Sequence, residues 1–375
     1  MQILHVYKSH LSESIGGVEN VVDQIARSTQ KIGADNTIFT LSEKPKKDIF
    51  IFNGYKVNTV KKSFEISSNG FSLKAFSIFK KLSMDADVIH FHFPWPFADL
   101  LKFCSHINKP SVLTYHSDII RQKVLLKFYA PLKSYFLNSV DAIVATSPNY
   151  LHSSTDLILN RDKTIVIPIG LDHFSYPDPK PFDLEYIRNT FGVRFFLFVG
   201  AFRYYKGLLF LIEAGRYVNY PIVIVGSGPI ENKLKSLTLK YGVKNIFFIG
   251  QVSEEYKSAL FTSCYSVIFP SNLRSEAFGV SLLEGAMFSK PLISCEIGTG
   301  TSYINVDKIT GLVIPPSSAK ELVSAMTFLW NHPEEAHRMG KNARIRYNQL
   351  FTSEMMAKSY LDVYRQVLKN SLNTR

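Results

Sequence analysis

Two glutamates, eight positions apart, are the first residues in this chain whose type and spacing suggest chemistry. Glu276 and Glu284 lie in the segment SEAFGVSLLEG, directly after the apolar run SVIFP. A helix is predicted to begin near Phe278, where Gly279 would let phosphate or sugar oxygens approach the free backbone N–H groups of the first turn. No histidine with metal-ligand spacing flanks either glutamate. The pattern therefore favours hydrogen bonding to hydroxyl groups, although an exposed helix face can also carry two glutamates at this spacing.

A cationic loop is the second candidate. In VGAFRYYKGL, Arg203 and Lys206 stand between Gly200 and Gly207, ahead of a helix predicted to start near Leu208. Two cations at a helix entrance suit a diphosphate, whose negative charge must be stabilised as it departs. The alternative is a surface pair that covers the helix start, but the bracketing glycines indicate a tight loop and favour the functional interpretation.

Two further loops carry candidate residues. Gly16 and Gly17 separate the first predicted strand from the first helix, where bare backbone can face a diphosphate or a sugar, or simply form a turn. They do not form the G-x-G-x-x-G pattern, so a dinucleotide cofactor is disfavoured.

His116 closes the apolar run SVLTYH beside the polar residues Ser117, Asp118 and Arg121. It is predicted to hydrogen-bond a donor sugar or to assist an acceptor hydroxyl.

Three other histidines and one D-x-D sequence are predicted to have structural roles. His5, His90 and His92 are interpreted as core residues, since a lone histidine is more often structural. Asp85-Ala86-Asp87 precedes the run VIHFH, at the amino end of a predicted strand. It is interpreted as a helix-to-strand turn, and no metal site is predicted.

The elements that position these loops follow from the apolar pattern. Strand-like runs alternate with helix-period segments along almost the whole chain, which predicts an α/β fold with parallel sheets. A break is expected over 171–194, where three prolines disfavour both helix and strand. The expected domains are 1–171, joined by a C-terminal helix over about 352–375, and 172–351. Two such sheets imply two Rossmann-like domains that face each other across a cleft.

Composition bounds the class of protein. The net charge is +12, and residues 44–133 hold 15 basic and 6 acidic side chains. Lysine interleaves there with phenylalanine and leucine, which fits an anionic membrane surface or two ordinary amphipathic helices equally well. No nucleic-acid-binding motif is present, so a nucleic-acid partner is the weaker interpretation. Three scattered cysteines, no apolar run of membrane-spanning length and no signal-peptide pattern favour a cytoplasmic location.

Taken together, these segments resemble glycosyltransferase family 4, the retaining enzymes of the GT-B fold. The matching motifs are IGGVENVV, DVIHFH, TYHSD, VIPIGLD, VGAFRYYKG, IVGSGP and SEAFGVSLLEG. Two longer stretches, 116–123 and 295–305, look like bacterial mannosyl- or rhamnosyltransferases of O-antigen and other surface-polysaccharide pathways. The resemblance implies an N-terminal domain on the acceptor side and a C-terminal domain that binds a nucleotide sugar.

The resemblance also implies a role for each candidate residue. Gly16 and Gly17 would line the donor diphosphate and sugar, and His116 would face the transferred sugar. Arg203 and Lys206 would hold the diphosphate. Glu276 would contact sugar hydroxyls and Glu284 the ribose. The backbone N–H groups of Phe278, Gly279 and Val280 would complete the pocket.

The function expected from this resemblance is transfer of a hexose, with GDP-mannose as donor, to a lipid-linked glycan acceptor. The nucleotide sugar is a co-substrate, and neither a cofactor nor a metal is expected. The enzyme would work in the cytoplasm, at the inner face of the cytoplasmic membrane. Three alternatives remain: a different donor (GDP-rhamnose or a UDP-sugar), a two-domain nucleotide-sugar epimerase, and a non-enzymatic binding protein, against which the intact charged residues argue.

Overall fold

A computed structural model describes residues 1–14, 16–66, 69–119 and 123–373. The chain divides into two compact units. The N-terminal unit comprises Met1–Gly170 and Ser353–Arg375, and the C-terminal unit comprises Leu171–Thr352. Among the described residues, no helix is both long enough and apolar enough to span a bilayer.

A mostly parallel sheet forms the centre of the N-terminal unit. The strands of this unit are β1 Gln2–Val6, β2 Asp35–Ser42, β3 Phe50–Phe52, β4 Tyr55–Lys61, β5 Phe64–Ile66, β6 Asn69–Phe71, β7 Val88–Phe93, β8 Ser111–Tyr115, β9 Ala142–Ala145 and β10 Thr164–Val166. The main sheet has the order β10-β9-β8-β7-β1-β2-β4-β3. Its neighbours are parallel except for the antiparallel pair β3 and β4, while β5 and β6 pair separately.

Helices connect these strands and cover the sheet. They are α1 Gly17–Gln30, α2 Leu73–Asp85, α3 Pro96–Ser105, α4 Lys123–Ser139, α5 Pro148–Ser153 and α6 Thr155–Leu159, with α15 Ser353–Asn373 at the end of the chain. Helix α1 buries Val21, Val22, Ile25 and Ala26, the apolar face that the sequence predicts. Helix α15 packs against α1 and β8, so the last segment of the chain belongs to this unit.

The C-terminal unit, every residue of which is described, has a wholly parallel sheet. Its strands are β11 Phe196–Val199, β12 Ile222–Val225, β13 Ile246–Gly250, β14 Ser266–Phe269, β15 Leu292–Cys295 and β16 Gly311–Ile314. Their order is β13-β12-β11-β14-β15-β16. Numbered within the unit this is 3-2-1-4-5-6, the order of dinucleotide-binding Rossmann sheets. Strands β12, β14 and β15 are completely buried, as expected for strands covered by helices on both faces.

The helices of this unit are α7 Pro181–Phe191, α8 Leu208–Gly215, α9 Glu231–Lys240, α10 Glu254–Ser263, α11 Val280–Met287, α12 Thr301–Ile304, α13 Ala319–Asn331 and α14 Pro333–Leu350. Helix α7 shows that the expected break over 171–194 is partly wrong. Pro181 occupies the first turn of α7, where the missing N–H costs no hydrogen bond, and Ile187 and Phe191 anchor the helix by burial.

The α/β class predicted from the sequence is confirmed by both sheets. All three cysteines lie within the described residues and none forms a disulfide. Cys264 and Cys295 are buried, whereas Cys104 is exposed on α3.

Candidate functional site

The predicted site residues fall into two sets, one in each unit. Gly16, Gly17 and His116 belong to the N-terminal unit; Arg203, Lys206, Glu276, Phe278, Gly279, Val280 and Glu284 belong to the C-terminal unit. The structure gives the position and contacts of every one of these residues. Their roles toward a ligand stay predictions.

The C-terminal set lies at the switch point of its sheet. Strands β11 and β14 are neighbours, and the sheet grows from β11 toward β12 and from β14 toward β15. Arg203 and Lys206 follow β11, and Glu276 to Val280 follow β14. Because a crevice opens where the strand order reverses, the loops at these two carboxyl ends are where a Rossmann sheet binds its ligand.

Gly207 holds the two loops together. Its φ is +68°, and a Cβ atom there would lie only 1.9 Å from the carbonyl oxygen of Pro270, just beyond β14. Glycine is therefore required both by the backbone conformation and by the close approach. The backbone N–H of Asn272 donates to the backbone carbonyl of Tyr205 at 2.9 Å, which adds a second link between the loops.

Lys206 and Glu276 form an ion pair at this point, with each side chain only 12% exposed. Ser271 Oγ donates to Glu276 Oε2 at 3.2 Å, and Lys206 Nζ lies 4.7 Å from the centre of the Phe269 ring. Burial and the charge of Glu276 raise the pKa of neighbouring Tyr205 to about 12. In the sequence the glutamates and the cationic loop are separate features, whereas the structure joins one member of each.

Arg203 differs from Lys206 in its environment. It lies directly before the 3-10 turn Tyr204–Lys206, and its side chain is exposed. Across residues 1–14, 16–66, 69–119 and 123–373, no hydrogen-bond or ion-pair partner of its guanidinium occurs. The group is therefore available to an anion, and its planar fork suits two phosphate oxygens.

Helix α11 begins at Val280 rather than near Phe278. Gly279 adopts φ +103° as the N-cap, a conformation that ends the preceding loop two residues later than the sequence predicts. Phe278 lies before the helix with its side chain buried. Within this fully described unit no side chain caps α11, so the N–H groups of its first turn, beginning at Val280, are left for solvent or a ligand.

Glu284 lies within α11 and is buried, with two partners that the sequence analysis missed. Tyr176 donates its hydroxyl to Glu284 Oε1 at 2.9 Å, and Lys257 Nζ of α10 lies 3.1 Å from the same oxygen. Burial alone would lower the pKa of Lys257, but the carboxylates of Glu284 and Glu254 raise it above its usual value. Burial and the charge of Glu284 also raise the pKa of Tyr176. Both partners are distant in sequence, and no spacing pattern indicates them.

The double glycine of the N-terminal unit joins β1 to α1, as predicted. Gly16 is the N-cap of α1, with an extended backbone, and its carbonyl accepts from the backbone and side-chain nitrogens of Asn20 at 3.1 and 2.9 Å. Gly17 is the first residue of the helix, and a Cβ atom there would meet nothing within 4 Å. At Gly16, by contrast, a Cβ atom would lie 2.1 Å from a carboxylate oxygen of Glu19, so the helix start is open at Gly17 and covered by Glu19 at Gly16.

His116 follows β8 and is only 5% exposed. Its Nε2 lies 3.0 Å from Nδ1 of His92, and burial lowers its pKa to about 3. Nearby, the Asp118 carboxylate accepts from Tyr115 and Ser154 at 3.0 and 2.6 Å. Arg121, which the sequence analysis placed in the same loop, lies outside the described residues.

The histidines interpreted as structural and the D-x-D sequence occupy the expected places. His5, His90 and His92 are buried in β1 and β7, although the structure also connects His92 directly to His116. Asp85 ends α2, and Asp87 precedes β7 and accepts from the backbone N–H of Gln2 at 2.8 Å. The D-x-D sequence is thus a helix-to-strand turn at the amino end of the sheet, and the absence of a metal site stays a prediction.

Comparison with known protein families gives two matches that together span most of the chain. Residues 15–173 match the family described as Glycosyltransferase Family 4. Residues 189–346 match the family described as Glycosyl transferases group 1. The second match contains all seven predicted residues of the C-terminal unit.

Two curated relatives and one solved structure cover nearly the whole chain. The D-rhamnosyltransferase WbpZ of Pseudomonas aeruginosa is 52% identical over 94% of this chain and 93% of that protein. The O-antigen chain mannosyltransferase C of Escherichia coli is 45% identical over 99% of this chain and 100% of that protein. A sucrose-phosphate synthase from Thermosynechococcus elongatus matches with a TM-score of 0.82 and 20% identity over 98% and 99% of the two chains. That likeness supports the fold alone, and it agrees with the expected pair of Rossmann-like units.

Proposed function

We propose, since this chain belongs to glycosyltransferase family 4, that it transfers mannose from GDP-mannose to a lipid-linked glycan. The product would be part of a lipopolysaccharide O-antigen or of another surface polysaccharide. Support comes from the mannosyltransferase of Escherichia coli, which is 45% identical along its whole length. The GT-B fold expected of the family agrees with the two Rossmann-like units.

The observation that carries this proposal is the convergence of charge at the ends of β11 and β14. The exposed Arg203 guanidinium, the Lys206 ammonium and the uncapped first turn of α11 all favour an anion. A nucleotide sugar brings a diphosphate to this point. Glu276 would then bind sugar hydroxyls, and Glu284 would bind the ribose.

We propose that the reaction retains the configuration of the sugar. The bond between the sugar's anomeric carbon and the donor phosphate breaks while the acceptor oxygen bonds to the same face of that carbon. The acceptor proton passes to the departing phosphate oxygen. Arg203 and Lys206 stabilise the negative charge of the leaving diphosphate, so no carboxylate is required as a nucleophile.

The two units would divide the substrates between them in this proposal. The C-terminal unit, with its switch-point loops, would bind the nucleotide sugar. The N-terminal unit would bind the acceptor, with Gly16, Gly17 and His116 turned toward the sugar that is transferred. The nucleotide sugar is consumed as a co-substrate, and the proposed mechanism calls on neither a cofactor nor a metal.

GDP-rhamnose is the second candidate donor, because the relative with 52% identity is a D-rhamnosyltransferase. An epimerase would differ from either transferase in acting on a nucleotide sugar without an acceptor. Incubation with donor alone, followed by analysis of the sugar, separates these two reaction classes.

Thermal-shift measurement with GDP, UDP and ADP tests the nucleotide site first. A ligand at a hundredfold excess over its dissociation constant stabilises the fold by about 2.7 kcal/mol. GDP is expected to raise the melting temperature and the other two nucleotides are not. A shift with none of the three would contradict the proposed function. Turnover with GDP-mannose and with GDP-rhamnose then identifies the sugar.

Glu284→Gln and Lys257→Met form a matched pair for this measurement. Each breaks the same buried ion pair, so both are expected to lower the melting temperature without nucleotide. Only Glu284→Gln should also reduce the shift produced by GDP, because Lys257 has no proposed contact with the ribose. An equal loss of the shift in both variants would assign Glu284 a structural role.

A further inference from the structure

A chain of hydrogen bonds runs through the core of the N-terminal unit and ends at His116. Asn36 Oδ1 lies 3.0 Å from His5 Nε2, and His5 Nδ1 lies 3.1 Å from His92 Nε2. His92 Nδ1 lies 3.0 Å from His116 Nε2. The four side chains come from β2, β1, β7 and the end of β8, and all are buried.

The ring geometry supports hydrogen bonds between successive histidines rather than stacking. The ring centres are 5.4 Å apart for His5 and His92 and 5.3 Å apart for His92 and His116, with interplanar angles of 17° and 20°. In both pairs the distance between ring centres is longer than the N···N distance by about the width of one imidazole ring, which is the difference expected when both nitrogens lie on the line between the centres. Each N···N line therefore passes close to both ring centres, as an in-plane hydrogen bond requires.

Asn36 fixes the direction of the first bond. Its Nδ2 donates to the carbonyl of Ala26 at 2.8 Å and to Thr29 Oγ1 at 3.0 Å. A carbonyl oxygen can only accept, so the amide nitrogen must point there and Oδ1 must point toward His5. Because Oδ1 also only accepts, His5 Nε2 carries the hydrogen of that bond.

The donor and acceptor of each following hydrogen bond are then determined in turn. A neutral imidazole has one N–H, so His5 Nδ1 is an acceptor and His92 Nε2 must donate to it. His92 Nδ1 is then an acceptor, and His116 Nε2 must donate in turn. Burial lowers the pKa of His5 to about 4 and of His116 to about 3, and it also lowers that of His92, so the rings are neutral near pH 7.

We propose that Asn36, His5 and His92 are positioning residues that hold His116 in the Nε2–H tautomer, so that its Nδ1 lone pair accepts a hydrogen bond from a sugar hydroxyl. No hydrogen-bond partner of His116 Nδ1 occurs within the described part of the chain. The identity of the hydroxyl rests on the proposed function, whereas the tautomer does not.

A metal site is the competing interpretation of these histidines. Ring nitrogens of His5, His90 and His92 lie within 4.8 Å of one another. However, both nitrogens of His90 also have partners, Tyr364 and Thr114, each at 2.7 Å. All six ring nitrogens are thus engaged in hydrogen bonds, and the arrangement favours a polar network over a cation site.

Nitrogen-15 NMR of the histidine-labelled full-length protein, without any sugar nucleotide, tests the tautomer directly. The spectrum of His116→Gln assigns the His116 signals. We expect a protonated Nε2 and an unprotonated Nδ1 at pH 7. A protonated Nδ1, or loss of the His5, His90 and His92 signals on adding equimolar Zn²⁺, would overturn the proposal. If His116→Gln does not fold, correlation of the ring signals with the backbone amide of His116 in the wild-type protein gives the assignment instead.

Asn36→Leu and Tyr364→Phe then test what sets the tautomer. Asn36→Leu removes Oδ1, the acceptor that orients the hydrogen-bond chain, so His116 with a protonated Nδ1 should appear and turnover should fall in proportion to its fraction. Tyr364→Phe removes the buried hydroxyl that contacts His90, a residue outside the hydrogen-bond chain, and should leave the His116 tautomer unchanged. An unchanged tautomer in Asn36→Leu would refute the positioning role. An expected tautomer in a protein with no transferase activity would refute the proposed function alone.

Discussion

At the residue scale, Lys206 has its charge held by Glu276 and by the face of the Phe269 ring. Both contacts fix the ammonium group before any ligand arrives, so a diphosphate would meet a charge that is already in place. Such preorganisation is what makes a cation effective toward a leaving group, since little reorganisation remains during the reaction.

Lys206→Ala is therefore expected to lower kcat by roughly a hundredfold to a thousandfold, the usual loss when one preorganised donor to a developing negative charge is removed. Steady-state kinetics with the nucleotide sugar measures the change. Lys233→Ala, which removes an exposed lysine on α9, is the control and should leave kcat unaltered. A loss of less than threefold in Lys206→Ala would remove Lys206 from the chemistry.

The sequence predicted the candidate residues better than it predicted their partners. Arg203, Lys206, Glu276 and Glu284 stand beside strand ends and glycines, which are local signals. Lys257, by contrast, reaches Glu284 from another helix. Such a contact depends on how helices pack, and nothing in the spacing of the residues encodes it.

At the element scale, the loop from β11 to α8 and the loop from β14 to α11 act as one structure. Gly207 and Pro270 bring them into backbone contact, and the site residues lie on both sides of this contact. The position of Lys206 relative to Glu276 therefore depends on a residue that carries no side chain.

Gly207→Ala and Gly242→Ala test this dependence as a matched pair. Their φ angles are nearly equal, +68° and +64°, so the strain of a left-handed alanine, about 1 to 2 kcal/mol, is common to both. Only at Gly207 does the new methyl group meet backbone, whereas at Gly242 it meets nothing within 4 Å. Gly207→Ala should thus lower the melting temperature further and weaken the GDP shift. Equal melting temperatures and equal GDP shifts in the two variants would show that the loop contact is unimportant.

The apolar runs were sufficient to predict the central strands of both sheets, because buried parallel strands are nearly continuous in hydrophobicity. The edge hairpin of β3 and β4 was missed, as were β5 and β6. Asn53-Gly54, with φ angles of +46° and +89°, joins β3 to β4 and is a strong hairpin signal that could have revealed it. The ends of helices were less predictable. Helix α11, for example, begins at Val280 because Gly279 has a positive φ angle.

At the scale of the whole molecule, the net charge of +12 accompanies exposed apolar side chains in the N-terminal unit. Leu73 and Met84 of α2 are 81% and 66% exposed, and Phe128 of α4 is 82% exposed. Lys80 and Lys81 are exposed on the same α2 helix. This combination favours the membrane-surface interpretation over two plain amphipathic helices, and we propose that the unit binds anionic lipid.

Co-sedimentation with phosphatidylglycerol vesicles and with neutral vesicles measures this binding. Each near-surface lysine contributes about 1 kcal/mol toward an anionic membrane, so the double variant Lys80→Gln, Lys81→Gln should weaken the partition roughly thirtyfold. The control removes two exposed lysines of α9, Lys233 and Lys240, and should change little. Equal binding to both vesicle types, or equal effects of the two double variants, would contradict the proposal.

The unequal burial of the three thiols gives the natural chain a ready-made labelling site. Burial raises the pKa of the Cys264 thiol to about 11 and that of the Cys295 thiol to about 12, which suppresses the reactive thiolate at both positions. Cys104 is exposed and lines a surface groove together with Lys80 and Met84. A maleimide dye would therefore attach beside the lysine-bearing helix α2 without any mutation, as a fluorescent reporter of what approaches that surface.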